Sequence, residues 1–253
     1  MSVSLIELVK RLDSLLKPGE FRDYCPNGLQ VEGAPEVKTV VTGVTASQDF
    51  IDAAIEQNAD AILVHHGYFW TGEDPAIKGI KKNRIKKLLE HDISLLAYHL
   101  PLDAHANLGN NAQLGKKLGF VVEADLDPKH KSKVGVWGHL AEPCGANDLS
   151  ERITRILGRE PMHIPGEAKI IETIAWCTGG AQNYIKLAHD CGADAYLTGE
   201  ISEQTVHFAR ETGIHFFAAG HHATERYGVK AVGDYLAQNL DIKHLFIDID
   251  NPV

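Results

Sequence analysis

Residues 39–67 read TVVTGVTASQDFIDAAIEQNADAILVHHG: a β-branched run, a stretch with apolar residues at helical spacing, then the apolar run AILV ending in His65 and His66. That order is a β-α-β unit. Residues 173–200, TIAWCTGGAQNYIKLAHDCGADAYLTGE, repeat it at an offset of 173 − 39 = 134. Without a gap the offset matches Thr39 to Thr173, Gln48 to Gln182, Ile51 to Ile185, Ala54 to Ala188, Ala59 to Ala193, Asp60 to Asp194, Ala61 to Ala195 and Leu63 to Leu197. An internal repeat on this scale organises the whole chain.

The parallel extends outward from the two units. In the first half a helix near Ile80 to Glu90 leads to ISLLAYH, a helix around NAQLGKKLG and a short strand near Phe120. In the second, EQTVHFARETG leads to IHFFAAGHH, a helix from about Glu225 to Asn239 and a last strand, HLFIDI. Each half opens with a helix: Leu5, Leu8, Val9, Leu12, Leu15 and Leu16 set the first, and the second lies near Asn147 to Leu157. Strands alternating with helices predict the α/β class. We therefore expect two repeat-related α/β domains, each a mixed, mostly parallel sheet covered by helices. The polar stretch DPKHKSK marks the division, giving domains 1–126 and 127–253, with the C-terminal segment placed to pack back on the first.

Composition narrows the function classes. With 253 residues, 44% hydrophobic and 23% charged, the chain is long enough for a sizeable core and ordinary for a globular protein. A formal net charge of −9 disfavours nucleic acid as a bulk partner and an anionic membrane surface alike. Cys25, Cys144, Cys177 and Cys191 form no C-x-x-C pair, which argues against a zinc ribbon or a disulfide scaffold and for a reducing compartment. Glu7, Lys10, Arg11 and Asp13 interrupt the N-terminal apolar residues, so a leader peptide is not expected and a cytoplasmic location is.

In α/β sheets ligands collect beyond the carboxyl ends of the strands. His65 and His66 end one strand, and Gly199 and Glu200 occupy the matching place in the repeat. YHLPLDAH and GHHATE also follow apolar runs. An offset of 122 aligns His99 with His221 and Asp103 with Glu225. Gly220 permits a sharp turn into a helix that sets His221 and Glu225 on one face. Pro101 argues for a loop in the first copy. Imidazoles with carboxylates suit zinc, iron or manganese, and Glu225 could bridge two ions. The expected set is a two-metal site of His65, His66, Asp103, His221 and Glu225, with Glu225 and Glu200 as catalytic candidates and His99, Tyr68 and Trp70 as supporting or substrate-contacting residues.

Two divalent ions and two carboxylates leave about +2 for an anionic ligand. Five protein ligands for two ions leave positions open, which fits hydrolysis of a small anionic substrate. A non-catalytic metal-binding assembly or metal-handling protein is the alternative. Isolated histidines such as His91, His139, His163 and His244 read as surface or hydrogen-bonded residues, and His215 and His222 as neighbours of the site. Glu200 could equally cap a helix with Ser202. GNNAQLGKK misses the phosphate-binding loop pattern, and neither a dinucleotide-binding nor a nucleophile-elbow motif occurs.

VVTGVTAS, ILVHHGYFW, HLPLDAH, LTGEISEQT and AAGHHATE resemble the GTP cyclohydrolase 1 type 2 homologue family, also called dinuclear-metal-centre proteins. The resemblance covers essentially the whole chain. It implies two related α/β domains, a paired-metal site and a ring-shaped homohexamer. Carried over by motif, it implies His65, His66, Asp103, His221 and Glu225 as the ligands, and ring-opening hydrolysis of GTP as the activity. The long insert that some relatives carry between the halves is absent.

Overall fold

The computed structural model describes residues 2–127 and 134–253. Residues 128–133, which make up most of the polar stretch beside the expected division, lie outside the described residues. In chain order the elements are β1 (Val3–Ser4), α1 (Leu5–Leu16), β2 (Gly28–Val31), β3 (Glu36–Val37), β4 (Thr39–Thr45), α2 (Gln48–Glu56), β5 (Ala61–His66), α3 (Gly79–Glu90) and β6 (Ser94–Ala97). There follow α4 (Leu100–Ala104), α5 (Asn110–Leu118), β7 (Phe120–Asp125), β8 (Val136–Cys144), α6 (Ala146–Leu157), β9 (Met162–Ile164) and β10 (Ile171–Trp176). The chain ends through α7 (Ile185–Asp190), β11 (Ala195–Thr198), α8 (Glu203–Thr212), β12 (His215–Ala218), α9 (His221–Asn239) and β13 (Lys243–Phe246).

Of the two larger sheets one runs β13-β4-β5-β6-β2, parallel except for β2, and the other β7-β8-β10-β11-β12-β9, parallel only at its centre; β1 and β3 form a small antiparallel pair. The repeat is exact in register at the first crossover: Val40 faces Ala61 as Ile174 faces Ala195, and 174 − 40 = 195 − 61 = 134. At the next crossover Ala61 faces Ser94 and Ala195 faces His215, an offset of 215 − 94 = 121. That corrects the offset of 122. The register, and the starts of α4 and α9, pair His99 with Gly220 and Leu100 with His221, so the two histidines are displaced by one residue.

The contacts divide the chain into one unit of Met1–Leu102 with Gly228–Asp250 and another of Asp103–Tyr227 with Asn251–Val253. The breaks between these two compact units fall at Leu102 and Tyr227. The cause is strand exchange. β7, the last strand of the first repeat, pairs with β8 in the second sheet, and β13, the last of the second repeat, pairs with β4 in the first.

Each unit has its own core. In the first, α2 contributes Phe50, Ile51 and Ala54, α3 contributes Ile85 and Leu88, and these pack with Val41, Ile62, Val64 and Leu95 of the sheet. α1 buries Leu5, Leu8, Leu12 and Leu16, and the Ser4 hydroxyl accepts from the Glu7 N–H at its N-terminus. In the second, Leu149, Ile153 and Leu157 of α6 and Leu114 and Leu118 of α5 pack with Ile174, Trp176, Leu197 and Phe217. Each such side chain contributes about 1.5–3 kcal/mol on burial. Pro101 does not make a loop: Leu100–Ala104 is a short helix, because a proline in the first turn lacks only an N–H that would have no partner in the helix. Among the described residues no helix is long and apolar enough to cross a membrane.

Candidate metal centre

In the first unit β4, β5 and β6 run parallel, so the chain leaves β5 and β6 on one edge of the sheet. His65 and His66 close β5, and His99 follows β6 by two residues. Nitrogens of the three rings lie within 4.8 Å of one another. His65 is 0% exposed, and its Nδ1–H donates to the Tyr98 carbonyl at 3.1 Å. His66 Nδ1 bonds Thr45 Oγ1 at 3.2 Å. His99 Nδ1–H donates to Asp23 Oδ1 at 2.7 Å, and its backbone N–H to Asn27 Oδ1 at 2.7 Å.

Asp23 holds His99 through a fully subscribed carboxylate. Oδ1 also accepts from the Tyr24 N–H, and Oδ2 accepts from Asn27 Nδ2 and the Leu100 N–H. Burial alone would raise its pKa; the bond and charge of His99, with Asn27 and Leu100, bring it down to about 2. Trp70 sets its ring edge-on to His99, centroids 5.0 Å apart, and its Nε1–H donates to the Gly67 carbonyl. Tyr68 stands apart from the histidines. It is buried in the core, and its hydroxyl donates to the Ala46 carbonyl at 2.8 Å.

In the second unit the parallel strands β10, β11 and β12 again present one carboxyl edge. Gly220, at φ +99°, turns the chain from β12 into α9. His221 and Glu225 then lie one turn apart, with Nε2 and Oε2 3.2 Å from each other. His221 Nδ1 donates to Glu200 Oε1 at 2.7 Å. Burial by itself would lower the His221 pKa; Glu225, and after it Glu200, lift it to about 9. Glu225 packs so closely on Gly179, at φ +69°, that a Cβ there would collide with Oε1.

Asp103, 6% exposed, is oriented by two donors on Oδ1: Asn110 Nδ2 at 2.9 Å and Thr178 Oγ1 at 3.2 Å. Asn111 supports the same corner, accepting from the Thr178 N–H at 3.0 Å and donating to the Asp103 carbonyl at 3.3 Å. Cys177 is fully buried, and its thiol is pushed well up by burial and then by the charges of Asp103 and Glu225. Two carboxylates thus act on one buried point of this unit, a field that favours a cation.

The donor sets fit a borderline divalent metal: imidazole nitrogen in the first unit, imidazole and carboxylate in the second. Ligands of that kind are held from behind by a second group. Asp23, Asn27, Asn110 and Thr178 supply this here, and none was singled out by the sequence. Asp23 and Asn27 sit before the repeat begins, and Asn110 and Thr178 gain meaning only from the carboxylate they face. Glu200, expected as catalytic, turns its carboxylate to His221 Nδ1 and not to the cap of α8, where Ser202 Oγ instead meets Thr205 Oγ1 at 2.8 Å.

The model of the Duf34/NIF3 (NGG1p interacting factor 3) family matches residues 3–252. The chain belongs to the Duf34/NIF3 family. Among its curated relatives, a GTP cyclohydrolase 1 type 2 homolog of Pseudomonas aeruginosa is 57% identical over 252 residues, covering 100% of both chains. One of the same name from Vibrio cholerae is 55% identical over 250 residues, covering 98% of this chain and 99% of its own. Among solved structures, protein ybgI, described as of unknown function, superposes with a TM-score of 0.95 at 48% identity, covering 99% of this chain and 100% of its own. As a Duf34/NIF3 chain it therefore bears out the family likeness drawn from HHG, HLPLD and GHHATE.

Proposed function

We propose that this Duf34/NIF3 chain is a metal-dependent hydrolase of a small anionic substrate, with His65, His66, Asp103, His221 and Glu225 as ligands of two divalent cations, zinc, iron or manganese. The observation that carries the reading is the backing of the donors: Tyr98 O behind His65, Thr45 behind His66, Glu200 behind His221, and Asn110 and Thr178 behind Asp103. Metal-ligating side chains are held from behind in this way, which fixes ring angle and tautomer before the cation arrives. When bound, two such cations supply Lewis acidity and make water a competent nucleophile near neutral pH.

The side chains supply the rest. Glu200 keeps the Nδ1 proton of His221, which leaves Nε2 as the donor nitrogen. Glu225, one turn along α9 from His221, would supply a carboxylate oxygen to the bound metal. Asn110 and Thr178 hold one oxygen of Asp103 and fix the direction of the other. Trp70 walls the histidines and shields them from water. The +2 left after the carboxylates are counted draws a phosphate or carboxylate group. The relatives' name makes GTP the first substrate to try, and opening of its purine ring the first reaction; phosphoester hydrolysis would use the same residues. The proposal includes a homohexamer acting in the cytoplasm, where the four free cysteines are at home.

The test is purified protein loaded with zinc, iron or manganese and assayed against nucleoside triphosphates and phosphoesters. Turnover that is lost in Glu225→Gln supports the reading. An oligomer that falls apart on chelation, with no hydrolysis under any loading, replaces it with a metal-dependent assembly.

A further inference from the structure

We propose that the groove between α7 and α8 of the second unit binds a short peptide with free termini, two or three residues long, its carboxylate toward Lys186 and its ammonium group toward Glu211. None of the residues involved is a candidate metal ligand, so the inference goes beyond the hydrolase reading and stands apart from it.

The groove holds a cavity of about 560 Å³, inside the range of roughly 300–1,000 Å³ usual for small-molecule sites. One wall is a single face of α8, on which Gln204, His207, Phe208 and Glu211 recur at i, i+3, i+4 and i+7. The other is formed by Asn183, Ile185 and Lys186, where the chain enters α7. Ile185 is buried, and the Phe208 ring is braced by the edge of His189, with centroids 5.8 Å apart. These two side chains give the groove an apolar middle.

Charge selects the class of ligand. Lys186 and Glu211 are the permanently charged side chains of the lining, one of each sign, and among the described residues neither has an ion-pair partner. Their sum, +1 − 1 = 0, matches a ligand with one positive and one negative end. A mononucleotide would set about two negative charges against Glu211 as well as Lys186.

Length separates a peptide from an amino acid. The strands β10, β11 and β12 are parallel, so α7 and α8 run in the same direction, and His189 stands beside Phe208. Lys186 comes three residues before His189 and Glu211 three after Phe208. Along the groove they are six residues apart, about 9 Å at 1.5 Å per residue. One residue of extended chain spans about 3.5 Å, two about 7 Å and three about 10 Å. A lone amino acid therefore reaches one charge or the other, and a di- or tripeptide reaches both.

The remaining groups agree with that orientation. Gln204 Nε2 donates to Asn183 Oδ1 at 3.2 Å, which leaves Asn183 Nδ2 as a donor and Gln204 Oε1 as an acceptor, the complement of one peptide group. The first turn of α8 lies at the Lys186 end and its last turn, with Glu211, at the other, so the helix field also favours the carboxylate at the first end and the ammonium group at the second.

The probe is Ala-Phe-Ala with free termini, titrated calorimetrically into the full chain. One peptide should bind per chain, and Lys186→Met and Glu211→Gln, both at exposed positions, should each weaken it about two- to fivefold, the range for an exposed charge pair. Amidating the carboxyl end should abolish the effect of Lys186→Met and preserve that of Glu211→Gln; acetylating the amino end should do the reverse. Phenylalanine alone should bind more weakly than the tripeptide. Absence of saturable binding overturns the inference, as does equal binding of the free and doubly blocked peptides. Adenosine monophosphate binding more tightly than the tripeptide, with an affinity that falls in Lys186→Met, also overturns it and assigns the cavity to a nucleotide.

Discussion

Asp194 does in the second unit what Asp60 does in the first. Asp60 Oδ2 accepts from the N–H groups of Lys38 and Thr39 at 2.7 and 2.8 Å; Asp194 Oδ2 accepts from those of Glu172 and Thr173 at 3.0 and 2.9 Å. Each carboxylate follows the helix of its β-α-β unit and ties the start of the second strand to the start of the first. The offset between all the partners is the 134 residues of the repeat.

This shared staple should matter in both places, and somewhat more at Asp194, whose Oδ2 also accepts from Thr173 Oγ1 at 2.9 Å. Asp60→Ala or Asp194→Ala removes a charged acceptor from two backbone donors and should cost about 2 kcal/mol. The Asn variants, which keep an acceptor oxygen, should cost less. The two sites share no partner, so the double Ala variant should show nearly additive losses in urea unfolding. A loss confined to one site would break the functional equivalence of the repeats.

Gly233 lies inside α9, where alanine would ordinarily stabilise by about 1 kcal/mol. Here a Cβ would collide with the His244 ring, which is held between Thr42 Oγ1 at 2.8 Å and Asp234 Oδ1 at 2.9 Å. Overpacking of that kind costs about 1–3 kcal/mol. Gly233→Ala should therefore lower the melting temperature, and His244→Ala in the same chain should recover part of the loss. Stabilisation by Gly233→Ala alone would show that the ring yields.

His163 and His215 set up a pH dependence remote from the candidate ligands in sequence. His215 Nε2 donates to the Ala168 carbonyl at 2.8 Å, so its Nδ1 accepts from the Gly166 N–H and from His163 Nε2, each at 3.0 Å. The His163 ring also stacks on Phe217, with centroids 4.4 Å apart. Burial, and then the neighbouring His215, lower the His163 pKa. Above the unfolded value of about 6.5 both states are neutral and the stability is complete. Below it the unfolded chain takes up a proton before the folded one, so stability falls as pH drops toward the lowered folded value. His163→Gln keeps a donor without titrating and should flatten the fall of urea-unfolding stability as pH drops below about 6.5. An unchanged slope would assign the effect elsewhere.

The repeat made the fold legible, because β-α-β periodicity and the ADA match survive in sequence at a fixed spacing. The return of the C-terminal segment to the first half was expected, but the exchange of β7 was not legible: a strand's own pattern states that it pairs, not with which sheet. Phe120–Asp125 reads the same whether it joins β8 or stays with its own half. The Pro101 turn misled for a local reason, since a first-turn proline and a loop proline share the same φ. For the candidate site, HHG, HLPLD and GHHATE pointed to the candidate donors because metal chemistry needs those residue types. Asp23 and Asn110 stayed hidden, since an acid in a loop or an amide at the start of a helix acquires a role only from the side chain that folding brings to it.

Glu200 separates an orienting role from a chemical one. It was expected to be catalytic, and its Oε1 lies 2.7 Å from His221 Nδ1. Glu200→Gln can present its amide oxygen to the Nδ1–H and so keep the hydrogen bond, but it removes the charge that makes the imidazole a strong donor. Metal affinity measured by chelator competition should fall by about 10–100-fold, and Glu200→Ala should fall at least as far. Turnover at saturating metal, if present, should then stay within a few-fold of the parent, because the ligand set is intact once filled. The opposite pattern, unchanged affinity with turnover abolished at saturation, would return Glu200 to the reacting groups and leave His221 to be oriented by Glu225 alone.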